Sequence, residues 1–292
     1  MDIIDDLLGT ESQNKNNSHQ QYNNNWKEQN KKRNEAYKKM DSMSFKITKD
    51  GNSFEQYLNI LSRFEKYSVG NCLLILDKEP NAIQIKSKED WQEKGYDLNN
   101  GANAITILEP YETKGKKYYN PKEEYDVTQT NAPIPEEIEY TSRDILVAIL
   151  DECKAERIVV DTLQNGKKGS QYVESENKLY MCRGIKQDYL LKTVIQEVAK
   201  IEMQGIENGT MKEFKTCCIS YMICKKYGLD TSKFDFSTLP KGITSIATGK
   251  DIRKELEDIR KNFIKIDDNI KAYFEKQSKE VEKAKKSQEQ GR

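Results

Sequence analysis

KTVIQEVAKIEM, residues 192–203, sets apolar and polar residues in a helical rhythm. Its apolar residues Val194, Ile195, Val198 and Ile201 return every three or four positions, the spacing of one buried helix face. Gln196, Glu197 and Lys200 sit inside that frame. Gln196 and Lys200 are four apart and share a side of the helix, with Glu197 beside them. Taken alone, the segment is a core helix that carries a glutamate.

With histidine in place of Gln196 and Lys200 the frame would read H-E-x-x-H. That arrangement grips a zinc ion between two imidazoles and lets the glutamate activate water. Here the two ligand positions hold a carboxamide, a poor zinc ligand, and an ammonium, which repels the ion and is expected to pair with Glu197. Composition closes off other histidine chemistry. The single histidine, His19, lies in the polar tract QNKNNSHQQYNNN, which is expected to be disordered. Histidine-ligated zinc and Ser-His-Asp or Cys-His catalysis are therefore excluded from the folded part. The six cysteines (Cys72, Cys153, Cys182, Cys217, Cys218 and Cys224) form no C-x-x-C pair, and a reduced, cytoplasmic protein is the simplest reading. Lys+Arg and Asp+Glu are equal at 48 each, so bulk charge argues for no nucleic-acid partner. No apolar run approaches the roughly 20 residues of a membrane span, and MDIIDDLLGT lacks a signal-peptide layout.

The 292 residues suffice for two modest domains of roughly 100–150 residues each. Residues 1–43 read as a disordered polar tail with a short amphipathic tip (Ile3, Ile4, Leu7, Leu8). Order is expected from Phe45. Phe54, Leu58, Leu61 and Phe64 have helical spacing, NCLLIL is a second apolar helix, AIQIKS alternates like a strand, and a short helix surrounds Trp91. ITILEP begins a strand, and YETKGKKYYNPKEEYDVTQT is a hairpin with a basic turn flanked by tyrosines. Residues 131–139, with two prolines, form a linker. The second unit, 140–248, holds a helix capped by Thr141 or Ser142, the strand RIVVDTL, a hairpin turning near Glu176-Asn177, and two helices, the last closed by Gly228. In 249–292, Ile252, Leu256, Ile259, Phe263, Ile266, Ile270 and Tyr273 step by four and three, a heptad seam. It packs back on its own chain or on a second copy. Beyond Phe274 the charged sequence is expected to fade out.

KTVIQEVAKIEM, followed by EFKTCCISYMICKKYGLDTSKFDFSTLP, resembles the zincin domain of ArdC-type antirestriction proteins, related to ImmA/IrrE-like metallopeptidases. Tyr221, Cys224, Gly228, Leu229, Asp230, Thr231 and Ser232 match the pattern. Gln196, Lys200 and Cys217 stand where the family has metal ligands, and only the general-base position, Glu197, is kept. The first unit is similar to the same family's single-stranded-DNA-binding domain. There Phe54, Tyr57, Leu58, Arg63, Phe64, Tyr67, Ser68, Asn71, Pro80, Ala82, Trp91, Gly95, Gly101, Ile105, Ile107 and Pro110 agree in order. Asp126 to Thr130 match D-V-x-Q-T.

The resemblance implies an α+β fold of two small domains, 44–130 and 140–248, the second zincin-like with a degenerate metal site. It implies no catalysis, no metal and no cofactor. The relic site is Gln196, Glu197, Lys200 and Cys217. A single strand would be held by basic side chains and aromatic faces. The candidates are Arg63, Lys66, Tyr67, Asn71, Lys86, Lys88, Trp91, Lys116 and Lys117. Against this, Met43–Glu112 carries 8 Lys+Arg and 11 Asp+Glu. Trp91 is as easily core as a stacking platform. The function implied is that of a single-stranded-DNA-binding, antirestriction-like protein of a plasmid or phage. The alternative is a pseudo-peptidase that binds a host defence or replication protein without touching DNA, using the heptad seam (Ile252, Leu256, Ile259, Phe263, Ile266, Ile270) or the apolar tip. That seam is also the expected route to self-association. An active metallopeptidase is the third reading, opposed by the missing ligands.

Overall fold

The computed structural model describes residues 3–136, 140–163, 169–203 and 209–290, with side chains for 26–136, 140–162, 169–203 and 209–283. The first half runs α1 (Ile3–Lys49), α2 (Gly51–Arg63), α3 (Val69–Lys78), β1 (Ile85–Lys86), α4 (Lys88–Glu93), β2 (Ile105–Thr113) and β3 (Lys116–Asp126). The second half runs α5 (Ser142–Ala155), β4 (Val159–Leu163), β5 (Ser170–Val173), β6 (Lys178–Cys182), α6 (Gln187–Glu202), α7 (Thr210–Lys226), α8 (Lys241–Thr244) and α9 (Gly249–Gln290). The fold is α+β, with two three-stranded sheets in the orders β1-β3-β2 and β4-β6-β5. The first sheet is antiparallel, while β4 joins β6 in parallel.

Local chemistry sets the element ends. Asp50, Ser68, Ser87 and Thr141 each accept a backbone N–H in the first turn of α2, α3, α4 and α5, which satisfies donors that no intrahelical carbonyl can reach. Thr141 and Asp144 complete a reciprocal capping box. β2 and β3 are joined by Lys114-Gly115, both at positive φ (51° and 70°). That two-residue turn has the twist a tight hairpin needs.

One apolar core serves both halves. Ile47, Phe54, Leu58, Leu73 and Ile105 lie in the same buried cluster as Ile149, Leu179, Val194 and Ile219. The two units read from the sequence are thus packed on a shared buried cluster. Two long helices fuse the halves. The first is α1, in place of the disordered tail expected through residue 43. Ala36, Met40, Met43 and Ile47 are buried along it, because they recur at three- and four-residue intervals in an otherwise polar helix. The side chains of the apolar tip lie outside the described residues. The second is α9, which continues past Phe274 to Gln290. Ile252, Leu256, Ile259, Phe263, Ile266 and Ile270 are all buried within the chain's own core, so the seam is not available for self-association. The linker at 131–139 lies partly outside the described residues.

The junction of α2 with the 234–237 segment is tight. A Cβ on Gly51 would stand 1.8 Å from the Phe236 carbonyl oxygen, a backbone atom with little freedom to retreat. Gly51→Ala is expected to cost about 1–3 kcal/mol through overpacking, read as a lowered midpoint in thermal or urea unfolding.

Candidate functional site

Helix α6 forms over 187–202 as its apolar spacing predicts, and Glu197 and Lys200 pair on it. Val194, Ile195, Val198, Ala199 and Ile201 are buried, leaving Gln196, Glu197 and Lys200 on the other side of α6. Lys200 Nζ lies 2.7 Å from Glu197 Oε1. The second carboxylate oxygen, Oε2, accepts the backbone N–H of Tyr172 in the edge strand β5 at 3.0 Å. The glutamate thus tethers a sheet edge to the helix, and the lysine balances its charge. A Cβ on Gly169, just before β5, would stand 2.3 Å from Thr193 Oγ1, so α6 and the β5 edge pack without slack.

Cys217, the third relic position, is half-buried on α7. Burial, then the carboxylate of Asp235, push its thiol up to about 11. With a carboxamide at Gln196 and an ion-paired ammonium at Lys200, the donor set does not fit a zinc ion. Among the described residues no three His, Cys, Asp or Glu side chains come together as a metal-holding group. Other matched positions here have structural work. The Tyr221 hydroxyl meets Glu55 Oε1 at 2.9 Å and Asn59 Oδ1 at 2.7 Å on α2. Asp230 pairs with Lys192 at 2.7 Å and accepts the Ser232 N–H at 2.9 Å. The Lys192 hydrogen bond, then those from Ser232, hold its carboxyl well below the usual range.

Glu197→Ala is expected to cost about 1–3 kcal/mol, the penalty for orphaning a backbone N–H. Lys200→Met should cost less than about 1 kcal/mol, because the ammonium is half exposed and screened. Urea unfolding of the two variants checks the order.

The DNA-binding candidates fall into two groups. Arg63 Nη1 donates to the Ala82 carbonyl at 2.6 Å. The Tyr67 hydroxyl donates to Glu124 Oε2 at 2.6 Å. Asn71 is buried and exchanges two hydrogen bonds with the Leu108 backbone, at 3.0 and 2.9 Å. Trp91 is only 2% exposed, and its indole N–H donates to the Tyr125 carbonyl at 2.9 Å. Tyr67, Asn71 and Trp91 stitch helices to the first sheet, Arg63 ties α2 to the loop before β1, and of the two readings of Trp91 its burial favours core. Lys66 and Lys88 are exposed, Lys86 is half-buried above the Trp91 ring, and Lys116 and Lys117 are exposed at the hairpin tip.

Around that tip, Tyr111 and side chains of α1 join the basic-aromatic run Lys114 to Tyr119 that the sequence marks. Tyr111 and Tyr118 face each other across the ladder. Their rings stack at 5.4 Å and 25°, and they remain 40% and 39% exposed. Lys114 stands in the turn between them. The outer side of the ribbon is flanked by α1, whose Arg33 donates to the Tyr119 carbonyl and whose Lys32 pairs with Glu123 at 2.9 Å. Residues 26–43, assigned to a tail by sequence, carry six Lys/Arg against three Asp/Glu and the exposed Trp26 and Tyr37; Lys32 and Arg33 reach the hairpin, while Lys39 pairs with Asp77 on α3 and Asp41 with Arg253 on α9. The hairpin residues were legible as a KG turn between tyrosines. The α1 contribution had no local signal, because only its docking on the sheet reveals it.

No protein-family model matches the chain. Among curated proteins it is similar to an uncharacterized protein, pXO2-81, of Bacillus anthracis, with 23% identity over 87% of this chain and 53% of the relative. The chain thus spans about half the length of the curated relative it matches. Among solved structures, it aligns with the antirestriction ArdC protein from plasmid R388 in its Mn(II)-bound form, with TM-score 0.47 and 13% identity over 70% of this chain and 85% of that one. The metal-free form of the same protein aligns with TM-score 0.44 and 12% identity, over 70% and 86%.

Proposed function

We propose that this chain is a nucleic-acid-binding, antirestriction-type protein of a mobile genetic element, working as a binding protein in which the α6–α7 unit serves as scaffold. The observation that carries the reading is the hairpin tip. Exposed, stacked Tyr111 and Tyr118 stand beside exposed Lys114, Lys116 and Lys117, with the basic stretch of α1 alongside. Aromatic faces under bases and ammonium groups along phosphates are the two ingredients of single-strand recognition without sequence preference. The antirestriction and mobile-element elements of the proposal draw on the sequence resemblance. The α6 geometry supports the non-catalytic element, since Glu197 spends both oxygens on Lys200 and Tyr172.

The protein-binding alternative loses one of its supports, because the heptad seam is buried in the chain's own core. The test is mutation at the tip. Tyr111→Ala/Tyr118→Ala is expected to weaken single-strand binding about tenfold or more, at roughly 1–3 kcal/mol per stacked base. Lys114→Ala/Lys116→Ala/Lys117→Ala should lower the slope of log affinity against log salt by about 2, at ~0.7 per single-strand phosphate contact. Wild-type affinity in both variants would remove the tip from the interface.

A further inference from the structure

Charge and aromatic residues are sorted around α1. Trp26, Asn30, Arg33 and Tyr37 step by four and three along the helix, and so do Lys27, Lys31, Asn34 and Lys38, one residue on. Rows of this kind lie side by side on a helix surface. Neither row holds an acid. The next row, Glu28, Lys32, Glu35 and Lys39, mixes both signs, as a solvated, ion-paired face does. Lys32 pairs there with Glu28 at 3.6 Å, and Lys32 and Lys39 also reach Glu123 and Asp77 on the body of the chain. Lys27, Lys31 and Lys38 differ. They are exposed, and among the described residues they pair with no carboxylate, including Glu35, which borders their row. In the row beside them Trp26 is 61% exposed and Tyr37 39%.

The docking of α1 turns the Trp26 row toward the hairpin tip. Neighbouring Lys32 and Arg33 reach points four residues apart on β3, namely Glu123 and the Tyr119 carbonyl. Tyr119 is the nearer of the two to the Lys114-Gly115 turn, so the Arg33 row lies on the tip side of α1 and the mixed row on the other. Exposed Lys117, its ammonium 5.8 Å from the Tyr119 ring centroid, continues the surface from α1 to the turn. Side chains alternate along a strand. Tyr119, packed against Ala36 and Met40, therefore marks with Lys117 the face of the ribbon that α1 covers, and Tyr111 and Tyr118 occupy the opposite face. The α1 rows and the stacked tyrosines are thus two surfaces on opposite sides of one ribbon, joined at its basic turn. We propose that the exposed face of α1 from Trp26 to Lys38 is a second contact surface for a single-stranded nucleic acid, which bends over the hairpin turn to reach both. Ammonium groups without acids and exposed aromatic rings complement phosphates and bases. The rows extend about 18 Å along α1 at ~1.5 Å per residue. Tyr119 to the turn adds about 13 Å at ~3.3 Å per residue, so only a strand of several nucleotides spans the two surfaces.

The inference rests on the nucleic-acid reading, and strand length separates the two. The 292-residue chain is titrated by anisotropy with a labelled single-stranded 20-mer and a 6-mer, and by sedimentation with phosphatidylserine vesicles. The variants are Trp26→Ala/Tyr37→Ala and Lys27→Gln/Lys31→Gln/Lys38→Gln, all exposed positions, with folding checked by circular dichroism. The second surface predicts about a tenfold or greater loss of 20-mer affinity in the aromatic variant. It predicts a salt slope lowered by about 2 in the lysine variant, at ~0.7 per single-strand phosphate contact. The 6-mer, which engages one surface at a time, should lose no more than about threefold. Unchanged 20-mer affinity and slope in both variants would overturn the second surface, and strand binding by the wild-type chain would still leave the nucleic-acid reading standing. Equal losses for the two lengths would overturn the bent path. Vesicle binding that the lysine variant loses, with no strand binding by the wild-type chain, would overturn the strand as occupant in favour of an anionic membrane surface. No response to any probe at micromolar protein in low salt would overturn both the surface and the nucleic-acid reading.

Discussion

Asp267→Ala is expected to destabilise the protein by about 3–5 kcal/mol, the usual result of removing one partner from a buried ion cluster. Asp267 is fully buried on α9. Its Oδ2 lies 2.9 Å from Lys226 Nζ and 2.6 Å from Lys271 Nζ, and its Oδ1 accepts the Tyr227 hydroxyl at 2.9 Å. Glu65, from the turn after α2, contacts the same two lysines at 2.9 and 2.8 Å. Arg260 completes the junction by donating to the Tyr67 and Glu65 carbonyls at 2.7 and 2.8 Å. The cluster joins α9 to both halves of the chain, so its loss should lower the whole unfolding transition. Urea denaturation at neutral pH measures it.

The same cluster sets a pH dependence. Burial opposes ionisation of Glu65, but the Lys271 and Lys226 ammonium groups outweigh it and leave its pKa lowered. A carboxyl lowered on folding contributes stability that is full above its unfolded value of about 4.3 and is lost as pH falls through the folded value. Burial likewise opposes the charge on Lys271, and hydrogen bonds to Asp267 and Glu65 prevail, raising its pKa. That contribution is full below about 10.4 and is lost as pH rises through the folded value. In Asp267→Ala the alkaline loss should shrink, since Lys271 then keeps only Glu65.

The second large effect is at Asp126, also fully buried. Its Oδ1 accepts the N–H groups of Ile83 and Gln84 at 2.7 and 2.9 Å. Its Oδ2 accepts the N–H and hydroxyl of Thr128 at 3.1 and 2.7 Å. One carboxylate therefore pins the approach to β1 against the end of β3. Asp126→Ala orphans three backbone donors at roughly 1–3 kcal/mol each, giving a loss of about 3–6 kcal/mol after relaxation. Asp126→Asn should retain about half of that. Its oxygen can serve Ile83 and Gln84, but its NH₂ would confront the Thr128 N–H. Equal stability of the Ala and Asn variants would contradict this geometry.

These two clusters show where sequence reading reached and where it stopped. Helices α5, α6, α7 and α9 were legible because apolar periodicity and caps are local signals, as at Thr141 and Gly228. The Glu197–Lys200 pair was legible because three residues on a helix are close whatever the fold. Asp126 was visible only as part of D-V-x-Q-T, since two of its partners, Ile83 and Gln84, lie some 40 residues away. For Trp91 and Tyr67 the sequence leaves a structural role and a ligand platform both open, because an aromatic carries no mark of which surface it faces. The structure spends one on Tyr125 and the other on Glu124. The α1 residues looked unfit for a core because a polar tract with buried positions at Ala36, Met40, Met43 and Ile47 has low average hydrophobicity. Its stability comes from docking on the rest of the chain.

The central claim is that this chain binds a strand through its surface and needs no metal to do so. The most direct test is fluorescence anisotropy of a labelled single-stranded oligonucleotide with the 292-residue chain, at low and near-physiological salt, with and without an excess of chelator. The account predicts saturable binding that weakens as salt rises and is unchanged by the chelator. Absence of binding at micromolar protein in low salt, or binding abolished by the chelator, would contradict it.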